Sequence, residues 1–223
     1  MKEVVLDTET TGLSVKEGHR IVEIGCIELD NLIPTKNKFH CYLNPERRVS
    51  EKALEVHGYT NEFLSTKKKF SEVADDFLKF IEDKILVIHN ADFDLSHLNN
   101  ELALQGKKKL DSKNVIDTLA LARDKFPGSP TSLDALCKRY RVDNSKRTQH
   151  TALIDCDLLA KVYINLLDQK EPTLNFKNEE NINIKTNLNN IIQYYKKIIK
   201  PTKEELNLHK EYLKNNLKKN FFN

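Results

Sequence analysis

The chain has 223 residues, of which 39% are hydrophobic and 31% charged, and a formal net charge of +3. That length suits one domain and an extension, and that composition excludes a disordered chain. A balance so near neutral excludes a protein that wraps nucleic acid over its whole surface, so any such contact is local. The charge is uneven: residues 169–223 hold 11 Lys against 6 acidic residues, and the rest of the chain is slightly acidic.

Met1-Lys2-Glu3 runs directly into a strand-like segment, without the apolar region of a signal peptide, so the expected compartment is the cytoplasm. Glu3–Leu6 reads as a short first strand. Ile21–Leu29 alternates around Val22, Ile24 and Cys26 and reads as a second strand. Lys38–Leu43 reads as a third, and the short connections suggest an antiparallel meander. Helical stretches follow at Glu51–Val56 and Phe70–Glu82. Ile85–His89 is a buried strand, too short to cross a membrane. A helix at Asp94–Leu104 leads to a strand at Asn114–Ile116, and further helices cover 118–126, 132–139 and 151–167. In the last of these, Leu153/Ile154, Leu158/Leu159, Val162/Tyr163 and Leu166/Leu167 form a recurrent apolar stripe. Antiparallel strands followed by β-α units give an α/β fold, a mixed sheet with helices on both faces. The four cysteines, Cys26, Cys41, Cys137 and Cys156, form no C-x-x-C pair and suggest neither disulfides nor zinc.

The expected domain spans 1–168. Residues 169–187 read as a polar linker, and 188–223 as a helical tail. In the tail Leu188, Ile191, Ile192, Tyr195, Ile198 and Ile199 recur at helical spacing. Pro201 stops that helix, and Thr202-Lys203-Glu204-Glu205 is a capping box opening another. So short a pair of helices cannot bury its own apolar stripe and is expected to dock on something else.

Three acidic clusters carry the chemistry. Asp7-Thr8-Glu9 ends the first strand, and in a strand residues i and i+2 share a side, so Asp7 and Glu9 present two carboxylates together. Such a pair repels itself unless a cation intervenes, and hard oxygen ligands suit Mg²⁺ or Mn²⁺. His89-Asn90-Ala91-Asp92-Phe93-Asp94 lies where a buried strand opens into a helix, a usual place for sites in α/β proteins. His150 precedes the last helix and Asp155 lies one turn inside it, which suits a general base beside a metal. Taken singly, each cluster also has an ordinary explanation: exposed acids, a helix cap, or a surface histidine.

Their joint occurrence resembles the DEDDh class of 3′–5′ exonucleases. The stretches Val4–Gly12, Val56-His57-Gly58, Val87–Ala91, Ser132–Cys137 and Asp143–Thr148 are similar to the epsilon family of proofreading subunits of bacterial DNA polymerase III. The resemblance covers about 1–168, and Thr202-x-Glu-Glu-x-x-x-His209 extends it into the tail. It implies a ribonuclease H-like fold with a five-stranded sheet. It also implies catalysis with two divalent cations, Mg²⁺ or Mn²⁺, and removal of 5′ mononucleotides from a DNA 3′ end.

Carried over residue by residue, the resemblance makes Asp7, Glu9 and Asp155 ligands of the first metal, with Asp7 also reaching the second. Asp94 would act through water and His150 as the base. Asp7, Thr8, Glu9, Thr10, His57, His89, Asn90 and Asp155 would meet the substrate, with Thr8, Thr10 and the turn at Thr11-Gly12 as donors. Leu13 would wedge against the terminal base. Two positions depart from the pattern: Lys52 replaces an acid, and Asp92, where a small residue is usual, either adds negative charge near the metals or, the favoured reading, caps the helix. The tail at 188–223 would bind the polymerase alpha subunit. Glu171–Phe176 resembles a sliding-clamp motif, with Leu174 and Phe176 as anchors and Glu in place of Gln. An alternative within the same fold is a free nuclease that trims RNA or short oligonucleotides.

Overall fold

The computed structural model describes residues 2–145, 147, 149–168 and 200–216. The chain divides into two compact units, Met1–Asn175 and Phe176–Asn223.

In the first unit, strands β1 (Lys2–Thr10), β2 (Ile21–Asp30), β3 (Ile33–Tyr42), β4 (Ile85–Ile88) and β5 (Val115–Asp117) form one sheet in the order β3-β2-β1-β4-β5. The pairs β1–β2 and β2–β3 are antiparallel, and β1–β4 and β4–β5 are parallel. The sheet is thus mixed and five-stranded, as expected. The helices are α1 (Glu51–His57), α2 (Asn61–Ser65), α3 (Phe70–Ile81), α4 (Ala91–Leu104), α5 (Thr118–Lys125), α6 (Leu133–Tyr140) and α7 (Ala152–Leu166).

Strand alternation sorts the core into two layers. Val4 and Leu6 of β1 face one side and pack with Phe70 and Phe77 of α3 and Leu98 and Leu102 of α4. Val5 faces the other side and packs with Leu136 of α6 and Leu158, Leu159 and Tyr163 of α7. Covering both faces explains why Val4, Val5 and Leu6 are apolar in succession, each fully buried Val or Leu contributing roughly 1.5–3 kcal/mol.

Several boundaries differ from the sequence reading. β1 does not stop at Leu6 but continues through Thr10, because Asp7 pairs with Gly25 and Glu9 with Glu23 of β2. β3 starts at Ile33, not Lys38. The presumed connection is a two-residue turn, Asn31-Leu32, with φ of 49° and 66°, which closes a hairpin tightly. This edge strand is largely exposed, so it lacks the apolar alternation that would reveal it. Its Pro34 is tolerated there because an edge strand need not donate every N–H. The five-residue helix α2 was not anticipated; Thr60 caps it by accepting from Phe63 N. α4 begins at Ala91, three residues earlier than expected, with Asn90 in the left-handed region at its N-cap. Asp92 is therefore not the cap: it is exposed in the first turn.

In the second unit, α8 (Lys203–Asn216) opens on the expected capping box. Thr202 Oγ1 accepts from Glu205 N at 3.2 Å, and Thr202 N donates to Glu205 Oε2 at 2.8 Å. Leu208 and Tyr212, one turn apart, are both exposed. The expected linker 169–187, its clamp-like segment with Leu174 and Phe176, and the expected helix at 188–199 lie outside the described residues.

Candidate active site

The C-terminal ends of the parallel strands β1 and β4 lie side by side at the middle of the sheet. Beyond them opens a cleft of about 490 Å³ lined by Asp7, Glu9, His89, Asn90, Asp94, Arg147, His150 and Asp155, among others. The topology explains how residues so far apart in sequence meet. Glu3, Val5, Asp7 and Glu9 share the β1 face that packs on α7: Val5 joins its core, and Glu3 accepts from Tyr163 Oη at 2.7 Å. Asp7 and Glu9 continue this row toward the start of α7, where Asp155 sits in the first turn. Thr8 faces the opposite layer and meets α4. Its backbone N and hydroxyl both donate to Asp94 Oδ1, at 3.0 and 2.7 Å.

Gly25 sets how closely α7 approaches. It pairs with Asp7 in the sheet, and a Cβ there would lie 2.6 Å from the carbonyl carbon of Ala152. Only glycine lets the first turn of α7 rest on β2 at that point. The same helix end is fixed by Glu23, a fully buried carboxylate that accepts from Ala152 N at 2.9 Å and Tyr59 Oη at 2.8 Å. His40 Nε2 completes its partners at 2.7 Å. His150 lies just before the helix, as expected, and its N–H donates to Val56 O at 3.2 Å.

Electrostatics marks this cluster as incomplete by itself. Burial, followed by the charges of Asp94, Glu9, Asp155 and Glu23, holds the Asp7 carboxyl well above the ordinary carboxylate range. Burial, Asp155 and Glu23 push Glu9 up to about 8, against a lowering by Arg147. Burial raises Asp94 to about 7 although both Thr8 hydrogen bonds oppose it. Carboxylates that raise one another in this way are relieved by cations, and their hard oxygens suit a divalent ion of the magnesium class. Among the described residues, Glu9, His150 and Asp155 each present a ligand atom, all within 4.8 Å of one another. The donor set therefore fits the expected metal.

The other expected contacts divide. His57, Leu13, Thr10 and Lys52 line a second cleft of about 470 Å³ that shares Thr8, Glu9 and Phe93 with the first. His57 is buried and stacks on Tyr59, whose N–H its Nδ1 accepts at 3.0 Å; burial lowers its pKa. Leu13 is 82% exposed at the cleft mouth. His89 and Asn90 lie in the first cleft. His89 Nδ1 lies 3.0 Å from Thr118 Oγ1, whose hydroxyl is also within 3.2 Å of Ile88 O. The threonines need a correction: the Thr8 donors hold Asp94, and the Thr10 hydroxyl donates to Gly12 O at 2.8 Å. Their hydroxyl hydrogens therefore serve the protein rather than a ligand.

Two groups at the site escaped the sequence reading. Glu23 left a signal, since an acid inside a strand buried on both faces must find partners. Arg147 falls in the Asp143–Thr148 stretch of the resemblance, but nothing there shows its contacts, because its partners Asp134, His150 and Asp155 belong to three different segments.

The exonuclease family matches residues 4–163. The DNA polymerase III subunit epsilon of Rickettsia felis is 50% identical over 224 residues, covering 98% of this chain and 98% of its own length. That of Escherichia coli K12 is 49% identical over 171 residues, covering 73% of this chain and 70% of its own. Among solved structures, exonuclease X in complex with 5′-overhanging duplex DNA matches with a TM-score of 0.60 at 26% identity. That match covers 75% of this chain and 92% of the other.

Proposed function

The chain belongs to the exonuclease family and, within it, to the DNA polymerase III epsilon subunits; it is a 3′–5′ exonuclease, and we propose that it removes mispaired nucleotides from the 3′ end of a growing DNA strand. The observation that carries the mechanism is the meeting of Glu9, His150 and Asp155 within 4.8 Å, beside Asp7 and Asp94 in one cleft.

In this reading the terminal nucleotide occupies the cleft lined by Leu13 and His57, and the scissile phosphate lies over the carboxylates. Asp7, Glu9 and Asp155 would hold two divalent cations, Mg²⁺ or Mn²⁺, which supply charge stabilisation to the phosphodiester in the transition state. Thr8 keeps Asp94 in place beside them. His150 takes the proton of the attacking water, a role suited to a histidine on a partly exposed loop. Leu13 packs on the terminal base, an apolar contact that accepts any of the four bases. Selectivity then comes from the primer: an unpaired end costs a few kcal/mol less to extract than a paired one.

The test is a primer-end assay with Mg²⁺, comparing a paired and a mispaired DNA 3′ terminus with a single-stranded RNA of the same sequence. The expected result is faster mononucleotide release from the mispaired DNA and little from the RNA. A preference for the RNA would replace this reading with that of a free trimming nuclease.

The tail supplies the partner. Exposed apolar side chains on α8, Leu206, Leu208 and Tyr212, suit a helix that docks on another protein. In this reading 188–223 binds the polymerase alpha subunit, and Leu174 and Phe176 touch the sliding clamp. The enzyme then works in the cytoplasm with the replicating DNA. Deleting 188–223 should leave mononucleotide release unchanged and abolish copurification with the alpha subunit. Retained copurification would assign that contact to the nuclease domain.

A further inference from the structure

Helix α4 reaches the loop between β1 and β2 with side chains spaced three and four residues apart, which share one helix face. Asp94 accepts from Thr8 at the end of β1. His97 Nε2 donates to Leu13 O within the loop, at 3.3 Å. Glu101 accepts from Arg20 Nε and Nη2 at 2.5 and 2.6 Å, where the loop runs into β2. Asp94 and Glu101 are acids that need partners once buried. His97 is different. It is 1% exposed, and because a carbonyl oxygen only accepts, its Nε2 carries the hydrogen. Its Nδ1, also buried, has no hydrogen-bond partner among the described residues. An apolar side chain would fill this space without burying an unpaired nitrogen, so packing alone does not account for a histidine here.

We propose that His97 is a positioning residue for substrate binding, holding Leu13 and Phe93 in place around the terminal base. This rests on the reading of Leu13 as the contact for that base. Leu13 is 82% exposed, so its own side chain gains little burial to keep it in place. Its backbone is held instead, by the His97 bond to its carbonyl. The same imidazole meets the Phe93 ring, with centroids 4.9 Å apart and planes inclined at 52°. Leu13 and Phe93 line one cleft, and His97 is not among its lining residues. The imidazole thus joins two apolar walls of the cleft without meeting the nucleotide itself.

Phenylalanine keeps a ring against Phe93 but cannot donate, whereas a glutamine amide can offer an N–H in place of Nε2. His97→Phe should raise KM on single-stranded DNA by about 3- to 10-fold and keep kcat within about twofold, because a contact made equally before and in the transition state is uniform binding. His97→Gln should return KM to within about twofold of wild type. Two comparisons separate positioning from packing. On DNA whose 3′-terminal nucleotide lacks its base, His97→Phe should match wild type. In a Leu13→Ala background, which should itself raise KM, His97→Phe should add nothing, since the two residues act through one contact. An equal rise in KM on the baseless end, or a full further rise on top of Leu13→Ala, would overturn the proposal. So would a KM in His97→Gln as high as in His97→Phe. Should His97→Phe not fold, His97→Met, which also lacks a donor, carries the same comparisons. If Leu13→Ala raises KM while His97→Phe leaves it at the wild-type value, only the role of His97 falls. An unchanged KM in Leu13→Ala removes the base contact itself, and the role of His97 with it.

Discussion

Asp7→Asn is expected to leave the chain folded and to lower hydrolysis by about 10³-fold or more, since several kcal/mol of transition-state charge stabilisation depend on the groups it holds. The same substitution should stabilise the protein in EDTA at high pH. In the folded chain, burial and the carboxylates of Asp94, Glu9, Asp155 and Glu23 keep Asp7 protonated well above its ordinary range. Folding therefore takes up a proton between that range and the raised value, and stability falls as pH rises through the window. Asparagine does not ionise. Asp7→Asn should thus melt higher than wild type at about pH 8 in chelator, and the gap should narrow toward about pH 5, where the native carboxyl is also protonated. Calorimetry at both pH values, beside a gel assay with Mg²⁺, reads both effects. Retained hydrolysis would remove Asp7 from the metal site, and equal gaps at the two pH values would remove the charge-crowding argument.

His150→Ala should slow the chemical step by about 10²–10⁴-fold under single turnover, the range for loss of a positioned general base. His150 donates its backbone N–H to Val56 O and its ring contacts Arg147, while Asp155 is buried on α7. The neighbouring helix should therefore keep its place when the imidazole is removed. Because Glu9, His150 and Asp155 all lie within 4.8 Å, His150 has a competing role as a metal ligand. Raising Mn²⁺ separates the two: a lost ligand is compensated by more metal, a lost base is not. An unchanged rate would assign the proton to another group, and recovery in Mn²⁺ would make His150 a ligand.

Much of this protein is legible along the chain, because local pattern carries it. The apolar pairs of α7 recur at helical spacing, and the runs at Val4–Leu6 and Ile85–Ile88 are those of strands buried on both faces. Asp7 and Glu9 share a face because every strand alternates, and His150 precedes α7 while Asp155 sits in its first turn. The acidic set, its order and its placement on elements are properties of sequence.

The tertiary structure decided what touches what. The exposed edge strand β3 hides its start, since no apolar alternation marks residues that face solvent on an edge. Thr8 reads as a substrate donor until the fold carries α4 across the sheet and gives both Thr8 donors to Asp94, 86 residues away. Gly25 and Glu23 acquire meaning only when the first turn of α7 rests on β2, a contact between segments some 129 residues apart. Arg147 joins α6, a loop and α7 through one guanidinium. Periodicity is local and is written in the order of residues. The partners of a buried charge are chosen by packing, because burial forbids leaving it unpaired and only the folded chain determines which groups are within reach.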